Sequence, residues 1–162
     1  MANGDKMDTA SGADVPWWKQ IALEDMSEGQ WESLCDHCAK CCLNKLEDED
    51  DGTVYYTDVV CDLLDAGTCR CSDYANRQVH MPDCVRLTPG NLEALYWMPP
   101  SCAYRLLHEG QDLPSWHHLV SGSKETVHTE GESVLGRFVY NKEVDEDEWE
   151  DRIVDWPLEW KP

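Results

Sequence analysis

Cys35, Cys38, Cys41 and Cys42 fall in the run Leu34-Cys-Asp-His-Cys-Ala-Lys-Cys-Cys-Leu43, and this cluster constrains the fold more than any other feature. A thiolate is a soft, charged donor, and a C-x-x-C pair brings two of them to one ion. Zn–S bonds of about 2.3 Å place tetrahedral ligands at a spacing that a local pair can supply. Iron–sulfur clusters use similar runs, with a further cysteine from elsewhere. Disulfides fit poorly. Adjacent Cα atoms lie about 3.8 Å apart, below the roughly 4.4–6.8 Å of an ordinary bridge. The total of nine cysteines is odd, and Met1 to Gly12 has no apolar segment of the kind that directs export. A cytoplasmic, metal-binding chain is the expectation. A helix burying Trp31, Leu34, Cys35, Cys38 and Cys42 on one face is the bland alternative, but it leaves Cys41 and the later cysteines unexplained.

Composition narrows the field. The 162 residues suit one domain over 15–162, behind a polar arm, 1–14, expected to be disordered. No apolar run approaches the roughly 18–20 residues of a bilayer span, so a soluble protein is expected, without membrane attachment. Thirteen Lys and Arg against 33 Asp and Glu give a net charge of −20, which repels nucleic acid and anionic lipid. A basic protein is the partner such a surface would suit. Eight Trp and six Tyr supply core material, yet aliphatic runs are short, so bound metal is expected to support folding.

Along the chain, Pro16–Leu23 predicts a short helix, and Ser27 with Gln30 forms a capping-box pattern before a helix that runs toward the cysteines. Asp51-Gly52 ahead of Thr53–Thr57 predicts a hairpin. Glu47, Glu49, Asp51, Gly52 and Asp58 mimic a calcium loop, but the first and twelfth positions are wrong. Asp58–Leu64, carrying Cys61, reads as one or two helical turns, followed by Cys69-Arg-Cys71 and then Cys84. Thr88-Pro89-Gly90 predicts a capped helix with Leu92, Leu95 and Tyr96 on its apolar face. Ser101 predicts the cap of another helix, Cys102 to His108, whose cysteine is the weakest ligand candidate of the nine. His117 or His118 could ligate zinc, although a capping or packing role is favoured. Ser121–Glu132 reads as loop, Val134–Tyr140 as strand, and Asp145–Asp151 as an acidic helix continuing through Ile153.

With the cysteines laid out, the chain resembles the YcgN/YkgJ-type cysteine-cluster family, in its YcgN branch. The resemblance rests on Met26-Ser-Glu-Gly-Gln-Trp-Glu-Ser-Leu-Cys-Asp-His-Cys-Ala-Lys-Cys-Cys-Leu43, Thr68-Cys-Arg-Cys-Ser-Asp-Tyr74 and Pro82-Asp-Cys84. Ser101-Cys-Ala-Tyr-Arg-Leu-Leu107 and Leu113-Pro-Ser-Trp-His117 continue it. It implies chelated zinc or iron, or an iron–sulfur cluster, in a cytoplasmic bacterial protein, and no established reaction.

The expected fold is α+β, with short helices and a β-hairpin around a cysteine-ligated metal site. Cys35, Cys38, Cys41, Cys42, Cys61, Cys69, Cys71 and Cys84 are the candidate ligands for a [4Fe–4S] cluster or zinc. A redox or electron-transfer role follows if the metal is an iron–sulfur cluster. The alternatives are a zinc-stapled interaction module with an acidic face, and a metal-dependent modifying enzyme.

Overall fold

The computed structural model describes residues 15–82 and 84–160, and the arm expected over 1–14 lies outside them. Val54-Tyr-Tyr-Thr-Asp-Val-Val60 is rich in β-branched and aromatic side chains, which suit a pleated surface. It forms β2 (Val54–Val60), antiparallel to β1 (Leu43–Glu47), with Leu46 opposite Tyr55 and Glu47 opposite Val54. Gly52, at φ 73°, sits in the connecting turn, as the Asp51-Gly52 signal predicts. The register shifts between Leu43 and Lys45, where Thr57 Oγ1 donates to the Asn44 carbonyl at 2.7 Å. The other edge of β2 pairs with two short segments, β5 (Val139–Tyr140, parallel) and β6 (Ile153–Val154, antiparallel). A strand paired along both edges is buried, and Tyr56, Thr57, Val59 and Val60 all are.

The expected helical turns at Asp58–Leu64 are therefore replaced. Asp58, Val59 and Val60 extend β2, because pairing on both sides outweighs local propensity. Beyond Cys61 the chain enters a small ribbon, β3 (Leu64–Asp65) with β4 (Arg70–Cys71).

Helices build the second layer. α1 (Trp17–Gln20) and α2 (Glu28–Ser33) are followed by α3 (Arg77–His80), α4 (Ala103–His108), α5 (His118–Ser121) and α6 (Thr126–Thr129). The Ser27/Gln30 capping box is present at α2, satisfying two backbone N–H groups reciprocally. Leu34, Leu92, Leu95, Met98, Ala103, Tyr104 and Leu113 form one core, against which Trp17, Trp18 and Trp31 pack. Tyr104 anchors it, its ring 4.7 Å from that of Trp31 and its hydroxyl donating to the Trp31 carbonyl at 2.7 Å. A second core joins Leu43, Tyr56, Val60, Leu64 and Val134 on the sheet.

Other local expectations give way to tertiary contacts. Only Leu92–Ala94 is helical after Thr88-Pro89-Gly90, as one 3₁₀ turn. The Asn91 side chain accepts from the Thr88 N–H in place of a helix cap, and Tyr96 is exposed. Cys102, not Ser101, is the N-cap of α4. Ser121–Glu132 contains α6 and the end of α5, while only Val139–Tyr140 of the expected strand pairs. The acidic run is a 3₁₀ helix, Glu146–Arg152, and Ile153 belongs to β6. The α+β class stands, with short helices around a small sheet. No described helix is long and apolar enough to cross a membrane.

Candidate metal centre

α2 ends at Ser33, so the cysteine cluster is not a helix face: residues 35–39 form an irregular loop before a 3₁₀ turn at Lys40–Cys42. Local hydrogen bonds set its path. Asp36 Oδ1 accepts the Cys38 N–H at 3.0 Å, and the Cys38 carbonyl accepts the Val134 N–H at 2.9 Å. His37 (φ 62°) and Ala39 (φ 63°) take left-handed conformations that cost L-residues roughly 1–2 kcal/mol each. Among the described residues, the only other non-glycine with positive φ is Cys69. Strain of this kind persists where the surroundings impose it, commonly at functional sites.

The later cysteines arrive on the sheet and its ribbon. The Cys61 N–H donates to the Cys42 carbonyl at 3.0 Å, which sets Cys61 across from the end of the cluster. The Leu64 N–H returns to the Cys61 carbonyl at 3.0 Å, and Leu64 is the register partner of Cys71. After Cys71 the chain folds through Tyr74–Asn76 and α3, and Gln78 Nε2 donates to the Cys84 carbonyl at 3.1 Å. Cys102 comes from the other core, against which Cys35 also packs.

These thiols act on one another. Burial first, then the Asp36 carboxylate and the Cys41 thiol, push Cys35 and Cys38 well above the ordinary cysteine range. Cys102 is pushed up to about 12 by burial, with Cys41 and Asp36 adding to it. Within the adjacent pair the two thiols act on each other, which lowers the pKa of Cys41 and raises that of Cys42. Burial raises Cys61, with Cys71 and Cys84 adding to it, and raises Cys84, with Cys41 and Cys71 adding. For Cys35, Cys38, Cys61, Cys84 and Cys102 burial is the largest cause, and a bound cation would favour their thiolate forms.

Two lysines and one carboxylate complete the surroundings. Lys45 Nζ lies 4.7 Å from the Tyr56 ring centroid and 4.9 Å from that of Trp97. It donates to the Cys41 carbonyl at 2.9 Å, and burial lowers its pKa to about 8, against the opposing pull of Cys41, Cys42 and Cys38. Lys40, only 1% exposed, donates to Ser101 Oγ at 3.1 Å and pairs with Glu132 at 3.5 Å. Asp36 is 7% exposed, and its Oδ2 is buried with no hydrogen-bond partner.

A thiophilic cation fits this donor set: soft sulfur ligands that repel one another, beside a buried carboxylate oxygen lacking a donor. Among the described residues, no group of three or more Cys, His, Asp or Glu side chains is placed to hold a metal ion. Backbone bonds set Cys61 across from Cys42, and Leu64 is the register partner of Cys71. Cys69 is 2% exposed within the sheet core, which includes Ala39 of the loop and against which Cys42 packs.

Of the two candidate histidines, His117 has other work. His117 is fully buried, accepting the Leu119 N–H at Nδ1 (3.1 Å) and donating from Nε2 to the Leu34 carbonyl at 2.8 Å. Both ring nitrogens are engaged, which is the capping role, and the imidazole pins the residue preceding Cys35. His118 stacks on it at 4.4 Å between centroids. Sequence reasoning ranked Cys102 last and passed over Asp36, Lys40 and Lys45. Asp36, Lys40 and Lys45 carry a signal in being charged residues within or just after the cluster; Cys102 carries no local one.

Residues 34–103 match a family model named CxxCxxCC and described as "Putative zinc- or iron-chelating domain". A UPF0260 protein of Parvibaculum lavamentivorans is 63% identical over 146 residues, covering 90% of this chain and 95% of the relative. UPF0260 proteins of Pseudomonas entomophila and Rhizobium johnstonii are each 54% identical, over 86% and 90% of this chain and 94% and 92% of their own lengths. No solved structure matches the chain. Similarity this high over nearly the whole of each relative, together with the cysteine motif, shows that the chain belongs to the UPF0260 family of CxxCxxCC cysteine-cluster proteins.

Proposed function

We propose that this chain is a thiolate-ligated zinc or iron protein whose metal ties its two cores together. The reading is supported by the CxxCxxCC run, which matches a family model described as a zinc- or iron-chelating domain, and by the buried Asp36 oxygen within that run that lacks a hydrogen-bond partner. The ligands are drawn from Cys35, Cys38, Cys41, Cys42, Cys61, Cys71 and Cys84, with Cys69 the remaining candidate from spacing. Bound zinc would supply a structural cross-link, and a [4Fe–4S] cluster would supply one-electron redox chemistry. Lys45 and Lys40 offset thiolate charge and hold the loop's carbonyl and the Ser101 side chain in place. A reducing, cytoplasmic setting would keep the thiols available.

A structural or electron-transfer role accords with the surface. A cavity of about 1300 Å³ is bounded by Leu113, Trp116, Glu132, Leu158 and Trp160, and Trp116 and Trp160 pack in one cluster with Cys38. The acidic exterior would suit a basic protein partner better than nucleic acid or anionic lipid.

Anaerobic purification of the untagged protein tests the reading. A brown protein absorbing near ~400 nm indicates iron–sulfur, and a colourless protein with stoichiometric zinc indicates a structural site. Folded protein containing neither metal contradicts the proposal.

A further inference from the structure

After β6 pairs with β2, the chain runs on through one 3₁₀ turn, Trp156–Leu158, to Trp160. The Leu158 N–H donates to the Asp155 carbonyl at 3.0 Å and the Glu159 N–H to that of Trp156 at 3.2 Å, both within the turn. Side chains attach this segment to the rest of the protein. Arg137 Cζ lies 3.9 Å from the Trp156 ring centroid, Trp156 packs against the sheet core, and Pro157 is buried. At the far end Trp160 packs against the cluster of Cys38, Trp116 and Val127, meeting Trp116 edge to face at 6.3 Å between centroids.

The two ends are held differently. The guanidinium over Trp156 is itself fixed, its Nε and Nη2 donating to the Ser133 carbonyl at 3.1 and 2.9 Å. The seat of Trp160 gives up a hydrogen bond instead. Its Nε1 is buried without an acceptor, so the cost of drying that N–H opposes the packing of the ring. Trp160 is therefore the end that lets go first. What lies beneath gives the release a consequence. Trp116 and Trp160 are walls of the cavity of about 1300 Å³, and both rings belong with the cluster in which Cys38 is only 8% exposed. Moving Trp160 changes the wall of the cavity and the cover of the cluster in one step.

We infer that the segment 156–160 is a strap, hooked at Trp156 and closed by Trp160, and that release of Trp160 opens the cavity onto the Cys38 cluster. The strap would then set how readily small thiol-seeking species, a metal ion or an alkylating reagent, reach Cys38. The inference goes beyond the metal-binding reading, since it rests on packing and holds whether the Cys38 thiol is ligated or free.

Iodoacetamide labelling of Cys38, timed by peptide mass spectrometry on folded wild-type, Trp160→Ala and Trp160→Phe proteins, tests it. Cys69, 2% exposed in the sheet core, serves as the marker for general loosening. Trp160→Ala should raise the Cys38 rate about tenfold or more, as a local opening does, and leave Cys69 unchanged. Trp160→Phe keeps a ring for Trp116 and has no N–H to bury, so its rate should stay within about twofold of wild type. Should bound metal block Cys38 labelling in all three proteins, transfer of the metal to a chelator is timed instead, with the same order expected. A Trp160→Ala protein that matches wild type overturns the inference, as does a phenylalanine variant as fast as alanine or a Cys69 rate that climbs with that of Cys38. A Trp160→Ala protein that does not fold also overturns it, because Trp160 is then core and not a strap. Wild-type protein free of zinc and iron contradicts the metal-binding reading alone, and the labelling rates still decide this inference.

Discussion

His117 links the helical core to the cysteine loop, and its replacement by alanine is a demanding perturbation. The ring donates to the Leu34 carbonyl at 2.8 Å and accepts the Leu119 N–H at 3.1 Å, with no solvent exposure. Truncation leaves both backbone groups without partners, at about 1–3 kcal/mol each. The lost ring volume adds a cavity, and the total is roughly 3–5 kcal/mol. For a chain of this size that lowers Tm by roughly 6–20 °C. His117→Gln keeps an amide donor and a carbonyl acceptor, so it should recover more than half of the loss. Urea unfolding followed by tryptophan fluorescence, with a parallel thermal melt, measures both variants. Burial holds the His117 pKa below its ordinary 6.5, so the unfolded chain takes up the proton first on acidification. The stability contribution is complete above about pH 6.5 and is lost as pH falls toward the depressed folded value. His118 shifts in the same direction, so His117→Gln should shallow the acid slope without abolishing it. A His117→Ala protein within about 1 kcal/mol of wild type, or a glutamine variant no better than alanine, would refute the two-hydrogen-bond account.

Leu34→Ala removes a side chain with no exposure at the mouth of the cysteine loop, and should cost about 3–4 kcal/mol in urea unfolding while accelerating metal loss to a chelator. Lys45→Met deletes the cation held between Tyr56 and Trp97; about 1–2 kcal/mol of stability should be lost, with faster metal release even where the initial content is normal. Arg152 reaches Asp58 through two bonds of 2.7 and 3.0 Å, so Arg152→Met should destabilise the β2–β6 pairing by about 1 kcal/mol, less at high salt, as read by hydrogen exchange at Tyr56 and Thr57.

Signals that act over a few residues were legible. Ser27 and Gln30 sit three apart and cap their own helix, and Asp51-Gly52 turns the hairpin where a positive φ is required. The cysteine run was equally plain, because metal-ligand chemistry is written in local spacing. What escaped was decided at a distance. Val59 and Val60 lie in a strand because Val139 and Tyr140 pair beside them some eighty positions later, an arrangement without any signal near Asp58. Thr88-Pro89-Gly90 carries a helix-start pattern, yet Asn91 takes the Thr88 N–H and the chain turns instead. Cys69 and Cys71 look equivalent in sequence; one left-handed residue sends them to different places. Cys102 packs against the helical core, as its place in a short helix suggests, while the bond from Lys40 to Ser101 spans 61 positions, a contact that spacing alone does not reveal.

The direct test of the central claim is X-ray absorption at the zinc and iron edges of the anaerobically purified wild-type protein. The account predicts a first shell of sulfur near ~2.3 Å, four per metal, from cysteine alone for zinc and from cysteine and sulfide for iron. A shell made only of nitrogen and oxygen, or no metal signal from folded protein, would contradict it.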